Sequence, residues 1–569
     1  MTKKFLWLLL ATLIFGCQPK EKDTADVVFI NGNIYTVNTE QPRAEAIAVK
    51  DGRILAIGAN ADIEKLKDEN TEVIDLQGQF AMPGFIEGHG HFSGLGQSLM
   101  NLNFLKSRSW EEIVKMVEEK AKTAKPGEWI VGRGWHQEKW ENSPDKQVLG
   151  YPYHDELSHV SPNNPVLLRH ASGHGLFANK KAMELAGITA ETPNPSGGEI
   201  VRDSRGEAIG VFEERAMGLV TAAYAMYRDS LSQEALKEEW LKGIELAQQE
   251  CLAKGITSFQ DAGSSQEEVK WYTELAEQGK FDLRLWAMIR HRYPDIKDKL
   301  AGLPIIDAGD GFFTCRAIKS EVDGALGSYG AWLLASYDDK RDFVGQNTTK
   351  VEDVEAIAKL CMDNGLQLCV HAIGDRANRE VLNIMEKEFQ ANPNKKDVRW
   401  RIEHSQHIDL ADIPRFAKLG VIAAMQGIHC TSDAPFVVKR LGEQRAREGA
   451  YPWRSLLDAG AIVTNGTDAP VEDVSPLESF YATVTRKRFS PPIMEFFPEQ
   501  KMTREEGIKS YTWSCAYSAF EEQDKGSLEI GKFADIVVLS KDLVTCSEEE
   551  ILQTEVLMTI VSGKVKYKK

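Results

Sequence analysis

Apolar and polar positions along this chain repeat with two different periods, and the change between them divides it. Between residues 26 and 58, short runs of β-formers alternate with glycine turns. The runs are Val27-Val28-Phe29-Ile30, Ala46-Ile47-Ala48-Val49 and Ile54-Leu55-Ala56-Ile57-Gly58; the turns are Asn31-Gly32 and Asp51-Gly52. Asn-Gly and Asp-Gly between such runs signal hairpins, because these residues tolerate positive φ. The far end has the same texture, with runs at 534–539 and 556–561 and then Ser562-Gly563-Lys564-Val565. Two β-rich ends around a long middle predict a small β-sandwich built from both termini, over 26–82 and 526–569.

The middle, 83–525, reads as α/β. Strands are predicted at 85–87, 256–260, 283–289, 316–321, 366–370, 400–403, 421–425 and 462–464. Segments of helical period separate most of them, among them 234–253 and 351–364, the second ending at Asn364-Gly365, a helix-stopping pair. Eight strands with crossover helices predict a TIM (β/α)8 barrel, whose active site gathers at the C-terminal strand ends. A long insertion after strand one, at about 97–230, carries its own β runs (Trp129-Ile130-Val131-Gly132 and Val166-Leu167-Leu168). Long insertions in barrels usually cover the site.

The first residues stand outside this pattern. Lys3 and Lys4 precede the apolar run Phe5 to Gly16, and Cys17 follows at once. Such a run is too short for a membrane-spanning helix and reads as an export signal, 1–17. Ile14-Phe15-Gly16-Cys17 resembles a bacterial lipobox, with Cys17 lipidated and a polar tether over 18–25. An ordinary secretory signal with an incidental Cys is the alternative. In either case the chain is expected to be exported to the cell envelope, facing the periplasm or anchored at the outer membrane, and to touch the membrane only through its lipid.

With 569 residues, 42% hydrophobic and 27% charged, the chain is globular and too long for one ordinary domain. A formal charge of −17 argues against nucleic-acid binding, which wants a basic surface. The seven cysteines after Cys17 are scattered, with no Cys-x-x-Cys, and read as buried free thiols. Cys369 lies two residues before His371 and could line the same site.

The chemistry sits at the strand ends. Pro83-Gly84-Phe85-Ile86-Glu87-Gly88-His89-Gly90-His91 is an apolar strand ending in His-x-His. Residues two apart on a strand point the same way, so His89 and His91 present two imidazoles to one side. Strand four carries Lys319, strand five ends in His371, strand six in Glu403-His404, and strand eight runs into Thr467-Asp468-Ala469-Pro470. Each has a plainer reading alone. A strand-end His is often a hydrogen-bonded structural group, Lys319 could snorkel to the rim, and Asp468 could set a turn. Together they place four His, one Lys and one Asp on one rim.

This set resembles the amidohydrolase superfamily, and within it amidohydrolase family 3, the YtcJ-like branch that includes N-substituted formamide deformylase. The matching stretches are Asp323-Gly324-Ala325-Leu326-Gly327-Ser328, Val370-His371-Ala372-Ile373-Gly374-Asp375-Arg376-Ala377, Arg401-Ile402-Glu403-His404, Tyr451-Pro452-Trp453-Arg454-Ser455-Leu456, Gly466-Thr467-Asp468-Ala469-Pro470-Val471 and Gly531-Lys532-Phe533-Ala534-Asp535-Ile536-Val537. Tyr329 stands where relatives usually carry Arg, and Trp135-His136 where many have Trp-Asp, so the substrate is left open. The resemblance implies two divalent metal ions, with Zn2+ suiting the N/O ligands. His89 and His91 hold one, His371 and His404 the other, Lys319, carboxylated by CO2 to a carbamate, bridges them, and Asp468 belongs to the ligand set. It further implies hydrolysis of a non-peptide C–N bond of a small molecule (amide, N-formyl, N-acyl or cyclic amide) by a metal-bound hydroxide, with Asp468 moving the proton. His174, in Ser172-Gly173-His174-Gly175, is either an oxyanion donor or a structural loop residue. Trp135, His136, Asp323 and Arg376 are weaker substrate-binding candidates. Other readings are a surface lipoprotein that binds a small molecule without catalysis, and a metal-dependent isomerase on the same barrel. A homodimer is left open.

Overall fold

The computed structural model describes residues 24–104, 107–137, 140–141, 144–170, 175–195, 198–327, 329–491 and 493–569. The expected export signal, Cys17 and most of the tether lie outside the described residues. No described helix is long and apolar enough to cross a membrane.

The predicted eight strands form one parallel sheet in sequence order. They are β1 (Phe85–Gly90), β2 (Ile256–Ser264), β3 (Arg284–Arg290), β4 (Phe313–Glu321), β5 (Gln367–Ala372), β6 (Arg401–His404), β7 (Ile422–Ala424) and β8 (Val463–Thr464). The sheet curls into a barrel because the chain beyond β8 bonds back to β1: Gly88 N–H donates to Asn465 O at 3.0 Å, Asp468 N–H to His89 O at 2.8 Å and His91 N–H to Ala469 O at 2.7 Å. This seam is tight. A Cβ on Gly88 would lie 2.4 Å from Asn465 O, and one on Gly466 would lie 2.5 Å from Glu87 Oε1. The crossover helices bury an apolar layer against the outside of the barrel, including Leu368, Val381, Trp400 and Phe416. The helix Val351–Asn364 stops where its sequence says, with Gly365 left-handed at φ 66°.

Both ends of the chain share the predicted sandwich. One sheet has four strands, Arg53–Gly58, Ala46–Lys50, Val27–Ile30 and Glu72–Asp75. The other has six, Lys564–Lys568, Val556–Val561, Ile536–Leu539, Phe80–Pro83, Asn33–Tyr35 and Arg43–Ala44. Phe80–Pro83 pairs antiparallel with Ile536–Leu539, so the termini meet directly. Asp51 and Gly52, with φ of 51° and 76°, make the expected two-residue hairpin turn between Lys50 and Arg53. Asn31-Gly32 makes no hairpin. The runs on either side of it enter different sheets, so the turn carries the chain across the sandwich. Asn31 takes the positive φ expected of it, 55°, but Val27–Ile30 pairs with Ala46–Lys50 and Glu72–Asp75 in place of the expected hairpin.

The insertion folds on its own six-stranded sheet, which includes Ile130–Trp135 and Val166–His170. Its apolar clusters, around Trp110, Trp135 and Phe177 and around Trp129, Leu176 and Phe212, contain no barrel residue. It reaches the rim where Arg133 Nη1 donates to Pro470 O at 3.3 Å.

Sandwich and barrel are joined through Arg284 at the start of β3. Its Nε and Nη2 donate to Asp535 at 2.7 and 3.2 Å, Nη2 also donates to Ser562 Oγ, and the guanidinium lies 3.5 Å from the Phe533 ring centroid. Arg284 is 1% exposed. Asp535→Ala, which strands this buried cation, is expected to cost about 3–5 kcal/mol in urea unfolding. A loss below about 1 kcal/mol would mean that the junction does not depend on the pair.

Candidate metal centre

The barrel brings the strand-end residues together by register. On β4 and β5 Lys319 lies beside Cys369, and on β5 and β6 His371 lies beside Glu403 and Ala372 beside His404. Lys319, His371 and Glu403 share one face of the sheet by alternation, whereas His404, paired with Ala372 on the other parity, joins them through a left-handed backbone, φ 75°. Asp468 follows β8 in a left-handed conformation, φ 58°. Its position is fixed by its own N–H bond to His89 O and by Glu87, which accepts from Thr467 N–H at 2.6 Å and from Thr467 Oγ1 at 3.1 Å.

Among the described residues, two groups of three can each close on a single point. His89, His91 and Asp468 form one, and His404, His429 and Asp468 the other; within each, the candidate ligand atoms lie within 4.8 Å of one another. Asp468 Oδ1 lies 3.1 Å from His91 Nε2 and 3.6 Å from His89 Nε2, and its Oδ2 lies 3.9 Å from His429 Nε2. His404 packs between His89 and His371, with ring centroids 4.6 and 4.4 Å away. His371 belongs to neither group of three; its Nε2 lies 3.6 Å from Asp323 Oδ1.

Hydrogen bonds on the far ring nitrogens set the tautomers. His89 Nδ1–H donates to the Glu403 carboxylate, which Arg401 clamps from the other side with Nε and Nη2 at 2.7 and 3.0 Å. His404 Nδ1–H donates to Gln426 Oε1 at 2.8 Å, while the Gln426 amide donates to Ala424 O. Both rings therefore turn an Nε2 lone pair to the centre. His429 is the reverse. Its Nδ1 accepts from Gln406 Nε2 at 3.0 Å, which places the proton on Nε2, facing Asp468.

Burial, and then the nearby Lys319, pushes His89 down to about 4 and His371 to about 3. Burial and the adjoining imidazoles hold His404 well below the ordinary histidine value. These rings are neutral at physiological pH, as ligands must be. Burial also lowers Lys319, and it raises Glu87 to about 8 against the bonds from Thr467. Burial would raise Glu403 too, but Arg401 and His89 outweigh it and hold it at about 2. Asp468 resists burial in the same way, held well below its usual value by His91 and the surrounding imidazoles.

Among the described residues, His89 Nε2, His371 Nε2, His429 Nε2 and Asp468 Oδ1 are buried without a hydrogen-bond partner. Orphaned polar atoms inside a protein are costly. Two of these are neutral imidazole nitrogens and one is a carboxylate oxygen, so the donor set fits a divalent ion that prefers N/O ligands.

The remaining sequence candidates lie further out. Asp323 is 3% exposed, and both its oxygens accept from backbone N–H groups, those of Ile373, Gly374 and Trp332, at 2.8–2.9 Å. It ties down the loop after His371. Arg376 lies over Trp332 and pairs with Glu380 at 3.7 Å. Trp135 sits in the insertion's core, donating Nε1–H to Leu168 O, and His136 packs on His170. His174 lies outside the described residues. The seven cysteines that are described are free, and Cys369 is buried beside Ala317 and Met288. Sequence reasoning missed His429, Gln426 and the clamp on Glu403. His429 starts a helix, Gly427–Leu441, four residues past the predicted end of strand seven, and no strand-end pattern points to it.

Known proteins are similar to this chain along nearly its whole length. The model of a family described as "Amidohydrolase family" matches residues 72–567. YtcJ of Bacillus subtilis (strain 168) is 31% identical over 553 residues, 95% of this chain and 99% of its own. N-substituted formamide deformylase of Arthrobacter pascens is 28% identical over 561 residues, 96% of this chain and 98% of its own. An uncharacterized metal-dependent hydrolase from Pyrococcus horikoshii OT3 superposes with a TM-score of 0.74 at 25% identity, covering 92% of this chain and 99% of that one.

Glu403→Ala frees the His89 ring and is expected to weaken Zn2+ binding about 10- to 100-fold, measured by competition with a chromophoric chelator. Glu403→Gln, which still accepts from His89, should lose less. Wild-type affinity in the Ala variant would contradict the clamp.

Proposed function

Because this chain belongs to the amidohydrolase family and is a hydrolase of carbon–nitrogen bonds, we propose that it cleaves a small-molecule amide other than a protein's peptide bond: an N-formyl or N-acyl amine, or a cyclic amide. The observation that carries the reading is the convergence of His89 Nε2, His371 Nε2 and Asp468 Oδ1, all buried and all lacking a hydrogen-bond partner among the described residues.

His89, His91 and Asp468 would hold one divalent ion and His371 and His404 a second, with Zn2+ suiting the set. When bound, such ions polarise a carbonyl oxygen and bring the pKa of a water near neutrality. Lys319 would join them as a carbamate. The neutral amine lone pair bonds to the carbon of CO2, a C–O π pair moves onto oxygen, and the nitrogen loses a proton. Burial, which disfavours the ammonium, supports that step.

Asp468 takes the proton of the attacking water on its carboxylate and returns it to the leaving nitrogen, which departs as a neutral amine. Its left-handed backbone and the Glu87–Thr467 bonds keep it aimed at the centre. His429, with its proton on Nε2, offers a donor beside the same carboxylate, and His174 is the proposed donor from the insertion. Lipidation of Cys17 and export belong to the same proposal, supported by the basic start, the apolar run and the lipobox-like Ile14-Phe15-Gly16-Cys17.

The test is amine release from a panel of N-formyl amines, N-acetyl amines and cyclic amides by Zn2+-loaded protein purified with bicarbonate. At least one class should turn over, and Asp468→Asn should lower kcat by about 100-fold or more. No amine from any class would sink the proposal. Full activity in Asp468→Asn would remove the proton role alone.

A further inference from the structure

The imidazole cluster occupies the C-terminal end of the barrel. At the opposite end, outside β4, β5 and β6, lies a cavity of about 260 Å³. Its apolar walls are Met362, Leu366, Val398 and Phe520, and its polar lining is Arg316, Gln367, Lys395, Lys396, Asp397 and Trp400.

Arg316 enters this cavity because of a local break in the barrel. Along β3 and β4, Ala287 pairs with Cys315 but the next residue, Met288, pairs with Ala317. Arg316 is the extra residue of a β-bulge, a device that re-aims a side chain. Its guanidinium lies 3.8 Å from the Phe520 ring centroid and has no hydrogen-bond or ion-pair partner among the described residues. The nearby acids are already engaged: Glu521 pairs with Lys525 at 2.8 Å, and Asp397 and Glu522 both pair with Arg399 at 2.8 Å. Lys395 donates to Met362 O, while Lys396 adds a further exposed positive charge.

Two more lining residues carry orphaned atoms. Trp400 is fully buried, and its Nε1–H has no partner among the described residues. Gln367 is 2% exposed and donates its amide to Arg399 O and Ser518 O, yet its Oε1 accepts from none of the described residues. A cation without a counter-ion and an indole N–H without an acceptor, against apolar walls, ask for an anion with a hydrophobic body. Guanidinium matches carboxylate geometry, and the walls exceed what an inorganic ion would use. Gln367 Oε1 remains for a water or a ligand hydroxyl.

The geometry points to a second binding site, at the N-terminal end of the barrel, for a small organic carboxylate with an apolar body. It is independent of the reaction proposed above. Arg316 and Lys319 are three residues apart on β4, about 10 Å of strand, so one ligand of this size does not reach both.

Calorimetric titration of the Zn2+-loaded protein with phenylacetate tests it. The wild type should bind, Arg316→Gln should bind at least about tenfold more weakly, and Lys396→Glu, a surface change that spares the fold, about threefold more weakly. Amide hydrolysis should be unchanged in both. Equal affinity in wild type and either variant would overturn the site, as would absence of binding to the wild type up to about 10 mM.

Discussion

A carboxylate taken out of water costs several kcal/mol unless it is paired and hydrogen-bonded, and Glu403 meets that condition with two partners of opposite kind. Arg401, itself 0% exposed, holds one side of it, and the His89 Nδ1–H holds the other. Arg401 in turn donates to Gly88 O at 2.8 Å and to Gln260 Oε1 at 2.5 Å, so β6 is bonded through one guanidinium to β1 and β2. The charge balance that makes Glu403 tolerable therefore also fixes the ring of His89. With that ring fixed, its Nε2 faces Asp468, and Asp468 is in turn bonded through its backbone to His89 O. Orientation of the imidazoles and closure of the barrel are one problem, solved at the seam between β1 and the chain after β8.

Much of this was legible in the sequence because a parallel barrel strand is short, buried and ends where its chemistry begins. His89, His91, Lys319, His371, His404 and Asp468 all sit at positions where a run of Val, Ile, Leu or Phe gives way to polar residues, and all of them reach one mouth. The eight predicted strands agree with the observed ones to within a few residues. His429 was invisible for the complementary reason: it lies in the first turn of a helix, where a His after Gly-Ile carries no periodic signal. Gln426 and Gln406, which set the two tautomers, were equally silent, since an amide reports its role only through its partner.

Local chemistry also misplaced some residues while naming their conformation correctly. Asn31 adopts the positive φ its type predicts, yet the next strand joins another sheet, because Val27–Ile30 finds its partners far along the chain. Asp323, read as facing substrate, spends its oxygens on three backbone N–H groups and supports the loop after His371. Trp135 belongs to a separate apolar core. The bulge that turns Arg316 outward could not be read at all, since it is a relation between β3 and β4 and not a property of either strand.

The central claim is that this cluster of neutral imidazoles and one carboxylate is built to hold divalent metal. It is tested most directly by elemental analysis of the soluble chain starting after Cys17, purified with bicarbonate and without chelator. The account predicts about two ions per chain and their loss on dialysis against a strong chelator. No bound metal, even after incubation with Zn2+, would contradict it.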